Sequence, residues 1–244
     1  GRLGVGRQPW IDAHRVFGTG SAPSGMLLDL VLAEAPAGDG VQVLNDVLIE
    51  NPLENDPGCD RELRMIEMNG KTVLETRDAT CGDLWKRHLV AHIGGSDSQS
   101  AKWAAQVDLS ALRARCPYQT TPGQLADRLA VSGMTYGPLL DTIVDIGVGH
   151  RELIVTLNAP KTPSGDDTFA RLDPGLVDGA MRAVGAFTLP FPPEQGAAFL
   201  CFAIQSLSVF APLPSAQIAK PTGFLRGKPR SCRNTLRCGT HCKR

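Results

Sequence analysis

Two apolar segments, each opened by a proline, constrain the fold of this chain more than any other feature. The first covers Ser24 to Ala35 after Pro23, and the second covers Pro174 to Phe187. Proline is favoured in the first turn of a helix, so each segment is predicted to be a buried helix. Strand-like segments accompany each helix, which is a weak internal duplication. Helices grouped on one face of antiparallel strands are typical of an α+β fold.

The strand-like segments follow the pattern of antiparallel hairpins. Asn69-Gly70 predicts a tight turn between residues 61–68 and residues 71–77. Further strands are predicted over residues 41–50, 84–93, 139–146, 151–157 and 199–210, and a third helix over residues 122–132. The chain is thus predicted to hold one unit over residues 1–104, a second over residues 105–219, and a tail over residues 220–244.

Composition places the chain among ordinary globular proteins. It is 42% hydrophobic and 20% charged, with a formal net charge of zero. No apolar run reaches the roughly 18 residues that a bilayer span needs, and the first residues lack the apolar core of a secretory signal. The chain is therefore expected to be cytoplasmic, with no membrane or nucleic-acid partner.

The tail differs chemically from the rest of the chain. Residues 220–244 carry eight Lys and Arg residues and no Asp or Glu, and this stretch is predicted to be disordered. Its cysteines and its histidine match no strong zinc template, so no metal site is predicted. The seven cysteines form an odd set without a Cys-x-x-Cys pair, which indicates reduced thiols.

Two residues are candidates for acid and base chemistry. His14 is predicted at a strand end beside a buried helix, where an imidazole can act as a general base near neutral pH. Asp178 shares one flank of the second helix with Gly175, Arg182 and Gly185, and the missing side chains there allow close approach of a backbone or a narrow ligand. Taken alone, His14 could be a core histidine and Asp178 a surface carboxylate paired with Arg182.

Two further histidines could suggest a metal site. His88 and His92 lie four residues apart in a predicted strand and would share one face. With no carboxylate or third ligand nearby in the sequence, both are predicted to be structural.

Several spaced motifs resemble those of the dehydratase domains of modular polyketide synthases. Residues 14–23 are similar to the HxxxGxxxxP segment of that family, residues 133–140 to its GYxYGPxF motif, and residues 173–178 to its HPALLD motif. Shorter matches occur at Pro52-Leu53 and from Trp85 to His88. All of them stand in the family order, from about residue 9 to about residue 210.

This resemblance implies a double hotdog fold, in which each of two tandem units wraps an antiparallel sheet around a central helix. Relative to the family, both ends of the chain would be truncated. The implied activity is that of a hydro-lyase, which removes water from a 3-hydroxyacyl chain on the phosphopantetheine of an acyl carrier protein in polyketide antibiotic biosynthesis. No metal or diffusible cofactor is implied. The implied partners are the carrier protein, neighbouring synthase domains and a second copy of the chain.

The resemblance also assigns roles to individual residues. His14 would take the α-proton of the substrate, and Asp178 would protonate the departing β-hydroxyl. An Asp can act as an acid at neutral pH when burial raises its pKa. The implied substrate-binding residues are Gly18, Pro23, Tyr136, Gly137, Pro138 and Arg182.

Three positions depart from the family pattern: Met134, Leu140 and Arg182. The family usually has Gln or His at the position of Arg182. Because Arg182 is four residues after Asp178 in a helix, its guanidinium can pair with that carboxylate and favour the ionised form. Two alternatives to an active dehydratase therefore stay open. One is a double-bond isomerase or pyran-forming cyclase of the same fold, and the other is a noncatalytic dimerisation domain.

Overall fold

A computed structural model of the chain describes residues 2–3, 9–35, 41–54, 60–80, 82, 84–94, 108–158, 171–189, 200–210 and 222–225. The helices are α1 (Pro9–Ala13), α2 (Ser24–Leu32), α3 (Leu109–Arg115), α4 (Pro122–Val131) and α5 (Pro174–Ala183). The strands are β1 (Arg2–Leu3), β2 (His14–Val16), β3 (Thr19–Gly20), β4 (Gln42–Ile49), β5 (Arg61–Met68), β6 (Lys71–Asp78), β7 (Lys86–Gly94), β8 (Tyr118–Thr120), β9 (Met134–Tyr136), β10 (Ile143–Val148), β11 (Leu153–Leu157), β12 (Ala203–Val209) and β13 (Thr222–Leu225).

The first half packs α2 against an antiparallel sheet in the order β1-β5-β6-β7-β4-β12. Almost every residue of α2 is buried, as expected for a helix whose residues are mostly apolar. The predicted Asn69-Gly70 turn is confirmed, because both residues have positive φ and Met68 pairs with Lys71.

The second half packs α5 against a sheet in the order β13-β11-β10-β8. Its core joins Leu176 of α5 to Ile146 of β10 and Val155 of β11, with α4 contributing Leu125 and Leu129. Asp173 caps the start of α5, since its Oδ1 accepts a hydrogen bond of 3.0 Å from the N–H of Leu176.

The halves are joined by a small sheet and by contact between their two central helices, among other contacts. A three-stranded sheet in the order β3-β2-β9 pairs His14 with Tyr136, and α2 crosses α5 where Gly25 meets Pro174. A Cβ atom at residue 25 would lie 2.9 Å from the Cα of Pro174 and 2.9 Å from the Cβ of Val177. The absence of a side chain at Gly25 therefore lets the two central helices touch.

Gly25→Ala is expected to lower the free energy of unfolding by about 1–3 kcal/mol, because the added methyl group has no space between the helices. Chemical denaturation measures this loss. Gly123→Ala in α4 is the matched control, since a Cβ there would meet only Thr121 Oγ1, at 3.9 Å. It is expected to be neutral or stabilising by up to about 1 kcal/mol. Equal stability of the two variants would contradict the close crossing.

Several elements differ from the sequence-based expectations. The pattern did not predict α1 or α3. Residues 138–140 form a 3-10 turn, so the strand expected from residue 139 begins only at Ile143. Leu140 is buried, and a buried Leu fits the sequence pattern of a strand as well as that of a 3-10 turn. Hydrophobic periodicity alone does not distinguish these two structures.

The chain also crosses between the halves near its end. β12 lies in the predicted second unit, yet it pairs with β4 in the sheet of the first half. Thr222–Leu225 forms a strand on β11, so the prediction of disorder does not hold for these four residues of the tail. The rest of the tail lies outside the described residues. Within the described ranges, none of the helices has the length and apolar character needed to cross a membrane.

Candidate active site

His14 is the first residue of β2 and is buried. Its Nδ1 lies 2.8 Å from the carbonyl oxygen of Ser21, and the N–H of Ser21 donates to the carbonyl of His14 at 2.8 Å. A carbonyl oxygen only accepts, so Nδ1 carries the proton and donates it. In the neutral ring, Nε2 then holds the lone pair and can accept a proton. Ser21 was not identified from the sequence, because a main-chain oxygen leaves no side-chain signal.

The turn after His14 brings Ser21 into place. Phe17 and Gly18 both have positive φ, and this left-handed pair reverses the chain between β2 and β3. Gly18 is exposed at the tip of the turn, and Pro23 is the buried N-cap residue of α2. Gly18 and Pro23 thus shape the backbone around His14.

His14 opens onto a cavity of about 410 Å³. Its walls combine apolar side chains from three parts of the chain, among them Phe17, Leu27 and Phe202, and Cys201 lies beside them. A cavity of this size and character suits a small, largely apolar ligand. Asp178 is not among the described residues that line it.

Asp178 lies in the middle of α5 and is buried. Burial raises the pKa of its carboxyl, while the nearby His14 and Arg182 act in the opposite direction. The surface-carboxylate alternative is therefore wrong for Asp178, and burial favours its protonated form.

Arg182 forms the predicted ion pair. Its Nε lies 3.2 Å from Oδ2 of Asp178, without the alignment of a hydrogen bond. The guanidinium stacks 4.1 Å from the centre of the Tyr136 ring and donates to the carbonyl of Leu140. The expectation that Arg182 favours the ionised carboxylate is correct in direction, but burial is the larger influence on the pKa of Asp178.

Tyr136 joins the two candidate residues. Its ring centroid lies 5.3 Å from that of His14, and the guanidinium of Arg182 covers its ring. Burial raises the pKa of the phenol, which keeps it protonated. The structure therefore brings His14, Tyr136, Asp178 and Arg182 together from both halves of the fold.

The two residues after Tyr136 lie at the edge of this cluster. The N–H of Gly137 donates to the carbonyl of Ala13 at 2.6 Å, and Pro138 is exposed at the start of the 3-10 turn. The glycine flank predicted for α5 is confirmed at Gly175, where a Cβ would lie 2.8 Å from the carbonyl oxygen of Leu139. These contacts hold residues 136–140 against the helix that carries Asp178.

The strand histidines have structural roles. His88 is buried, donates from Nδ1 to the carbonyl of Asn51 at 3.1 Å, and lies 2.7 Å from Thr76 Oγ1 through Nε2. Burial lowers its pKa. His92 is exposed, so the two do not share a face as expected. The reason is a register shift in the pairing of β6 with β7 beside His88, which breaks the alternation.

Metal-ligating side chains and cysteines can be assigned only where the structure describes them. No group of three or more His, Cys, Asp and Glu side chains in the described parts of the chain is arranged to hold a metal ion. Cys116 and Cys201 are free thiols, as predicted. The other five cysteines, including those of the tail, lie outside the described residues.

Comparison with known proteins decides the family. Residues 104–224 match the family model described as the polyketide synthase dehydratase N-terminal domain. This chain belongs to the polyketide synthase dehydratase family. The matched residues include Tyr136, Asp178 and Arg182, so the family is recognised over three of the four clustered side chains.

Solved structures of polyketide synthase dehydratases share the fold. The dehydratase domain from the CurJ module of curacin polyketide synthase has a TM-score of 0.73 at 16% identity, over 87% of this chain and 74% of that one. The domain from the CurF module has a TM-score of 0.74 at 15% identity, over 94% and 82% of the two chains. A trans-AT polyketide synthase dehydratase from Brevibacillus brevis has a TM-score of 0.71 at 20% identity, over 87% and 76%. The predicted double hotdog fold is confirmed.

Proposed function

We propose that this dehydratase removes water from a 3-hydroxyacyl thioester on an acyl carrier protein, with His14 as the base and Asp178 as the acid. The family and the fold support dehydration in polyketide synthesis. The observation that carries the assignment of residues is the cluster around Tyr136. There, the ring of His14 lies 5.3 Å from the ring of Tyr136, and Arg182, which covers the Tyr136 ring, pairs with the buried carboxyl of Asp178.

The chemistry follows from these two groups. Nε2 of His14 takes the proton from the α-carbon, and the electron pair of that C–H bond forms the double bond between the α- and β-carbons. The bond between the β-carbon and the hydroxyl oxygen breaks, and Asp178 protonates this oxygen so that it leaves as water. A protonated Asp is needed because hydroxide is a poor leaving group. Acid–base steps complete the reaction, and we propose no metal or diffusible cofactor.

Related proteins support a His and Asp pair. A His→Phe variant and an Asp→Asn variant of the dehydratase from the CurK module of curacin polyketide synthase are both described as inactive. The apolar walls of the His14 cavity suit an acyl chain. The carrier protein and neighbouring synthase domains are the proposed partners, and a homodimer in the cytoplasm stays a prediction.

The decisive experiment incubates the chain with a 3-hydroxyacyl-pantetheine thioester and follows the product by mass spectrometry. Loss of one water molecule is the expected result. A second substrate with a distal hydroxyl, followed by chromatography of isomeric products, tests for the isomerase or cyclase. A folded chain that changes neither substrate would contradict the proposal and favour the noncatalytic alternative.

Arg182→Gln is expected to increase dehydration at neutral pH. The guanidinium lowers the pKa of Asp178, so its removal raises that pKa and leaves more of the acid protonated. The alkaline limb of the kcat/KM profile should therefore move to higher pH. Arg182→Lys keeps the charge and should keep the limb in place. A fall in activity with an unmoved limb would mean that Arg182 takes part in binding or catalysis.

A further inference from the structure

Another buried carboxylate lies on α2, the central helix of the first half. Asp29 is 5% exposed on a helix whose other buried residues are Gly25, Met26, Leu27, Leu28, Val31 and Leu32. Its Oδ1 accepts hydrogen bonds from the N–H groups of Arg171 and Leu172, both at 2.7 Å. These bonds join positions more than 140 residues apart in the chain. A buried carboxylate of this kind needs such donors, and its hydrogen bonds are stronger than neutral ones.

The two donors stand directly before α5. Leu172 precedes Asp173, which caps α5 through the N–H of Leu176. The start of the helix that carries Asp178 is therefore fixed to α2 by a charged hydrogen-bond acceptor. The touching backbones at Gly25 and Pro174 add a second fixed point between the same helices.

The helix α2 also lies beside the surroundings of His14. The helix α2 begins three residues after Ser21, whose carbonyl holds Nδ1 of His14, and Leu27 lines the His14 cavity. One helix thus contacts the surroundings of the base on one side and the start of the helix of the acid on the other.

We infer that Asp29 is a positioning residue, which holds α5 against α2 so that Asp178 stays at a working distance from His14. The kinetic part of this inference rests on the proposed function. Catalytic geometry is sensitive to small displacements, and a shift of about 1 Å can cost two orders of magnitude in rate.

The test replaces Asp29 by Asn, which keeps the shape and an acceptor oxygen but removes the charge. Hydrogen exchange at the amides of Arg171 and Leu172 should accelerate about five- to tenfold, because a charge-assisted bond becomes a neutral one. In the same variant kcat should fall by about five- to tenfold, with KM within about twofold. Asp29→Ala should show larger effects in both measurements. Asp127→Ala, at an exposed position of α4, is the matched control and should change neither.

Each outcome is informative. Unchanged exchange at both amides would overturn the inference, and so would faster exchange with a wild-type kcat, which would make Asp29 a stabilising residue only. If Asp29→Ala does not fold, Asp29→Asn alone decides between these results. A wild-type chain without dehydratase activity would refute the proposed function, whereas the exchange data would still show whether Asp29 holds the start of α5.

Discussion

His14→Ala is expected to lower kcat for dehydration by about 10²- to 10⁴-fold, the range that a general base contributes. The loss should appear in kcat more than in KM, because the imidazole acts on the α-proton in the transition state. The hydrogen bond from Nδ1 to the carbonyl of Ser21 leaves Nε2 as the acting atom. Product formation from a 3-hydroxyacyl-pantetheine thioester measures the effect.

His92→Ala is the matched control for this variant. His92 is also a strand histidine that hydrogen-bonds a carbonyl through Nδ1, but it is exposed and bonds Gly70 at a hairpin turn. Its replacement should leave kcat unchanged. His88→Ala, in contrast, should reduce stability, because it leaves a cavity and an unpaired Thr76 hydroxyl in the sheet. Wild-type turnover of a folded His14→Ala chain would remove His14 from the mechanism.

Asp178→Asn is expected to reduce kcat by a similar factor of about 10²- to 10⁴-fold, since an amide cannot protonate the departing hydroxyl. The pH dependence gives a second signature. The acid works in its protonated form, so activity falls as pH rises through the pKa of Asp178. Burial raises that pKa and extends the active range upward. The alkaline limb that reports this titration should therefore disappear in the variant.

The replacement also leaves the guanidinium of Arg182 without its carboxylate partner. An unpaired buried charge disturbs a site by itself, independently of the loss of the acid. The double variant Asp178→Asn with Arg182→Gln removes both charges and serves as the control. It should remain inactive while its circular dichroism matches that of the wild type. Recovery of activity in the double variant would mean that the stranded charge, and not the lost acid, caused the defect.

The elements best predicted from the sequence are those with strong local signals. Three such elements are the Asn69-Gly70 turn, the two proline-opened helices and the glycine flank of α5. Each depends on φ preferences and side-chain sizes, which are local properties of the residues in that segment. The alternation within the antiparallel strands was predicted less accurately. The alternation along β7 fails at a bulge beside His88, because pairing with another strand decides where an extra residue is accommodated.

The residues of the candidate site were chosen from the sequence, but the groups that surround them in the fold were not predicted. His14 and Asp178 could be chosen because the spacing of their motifs resembles one family. The sequence also predicted that Arg182 would meet Asp178, since residues four apart in a helix are neighbours. The roles of Ser21 and Asp29 were not visible, because each depends on contact between a polar group and main chain elsewhere in the fold.

Residue order alone thus determined that a histidine stands before one central helix and an aspartate lies within the other, since helices and tight turns obey local rules. Only the tertiary structure decided that these residues meet around Tyr136. It also decided that burial outweighs the guanidinium of Arg182 in setting the pKa of Asp178. Desolvation and electrostatic reach depend on what surrounds a charge in space, and the groups around Asp178 come from opposite halves of the chain.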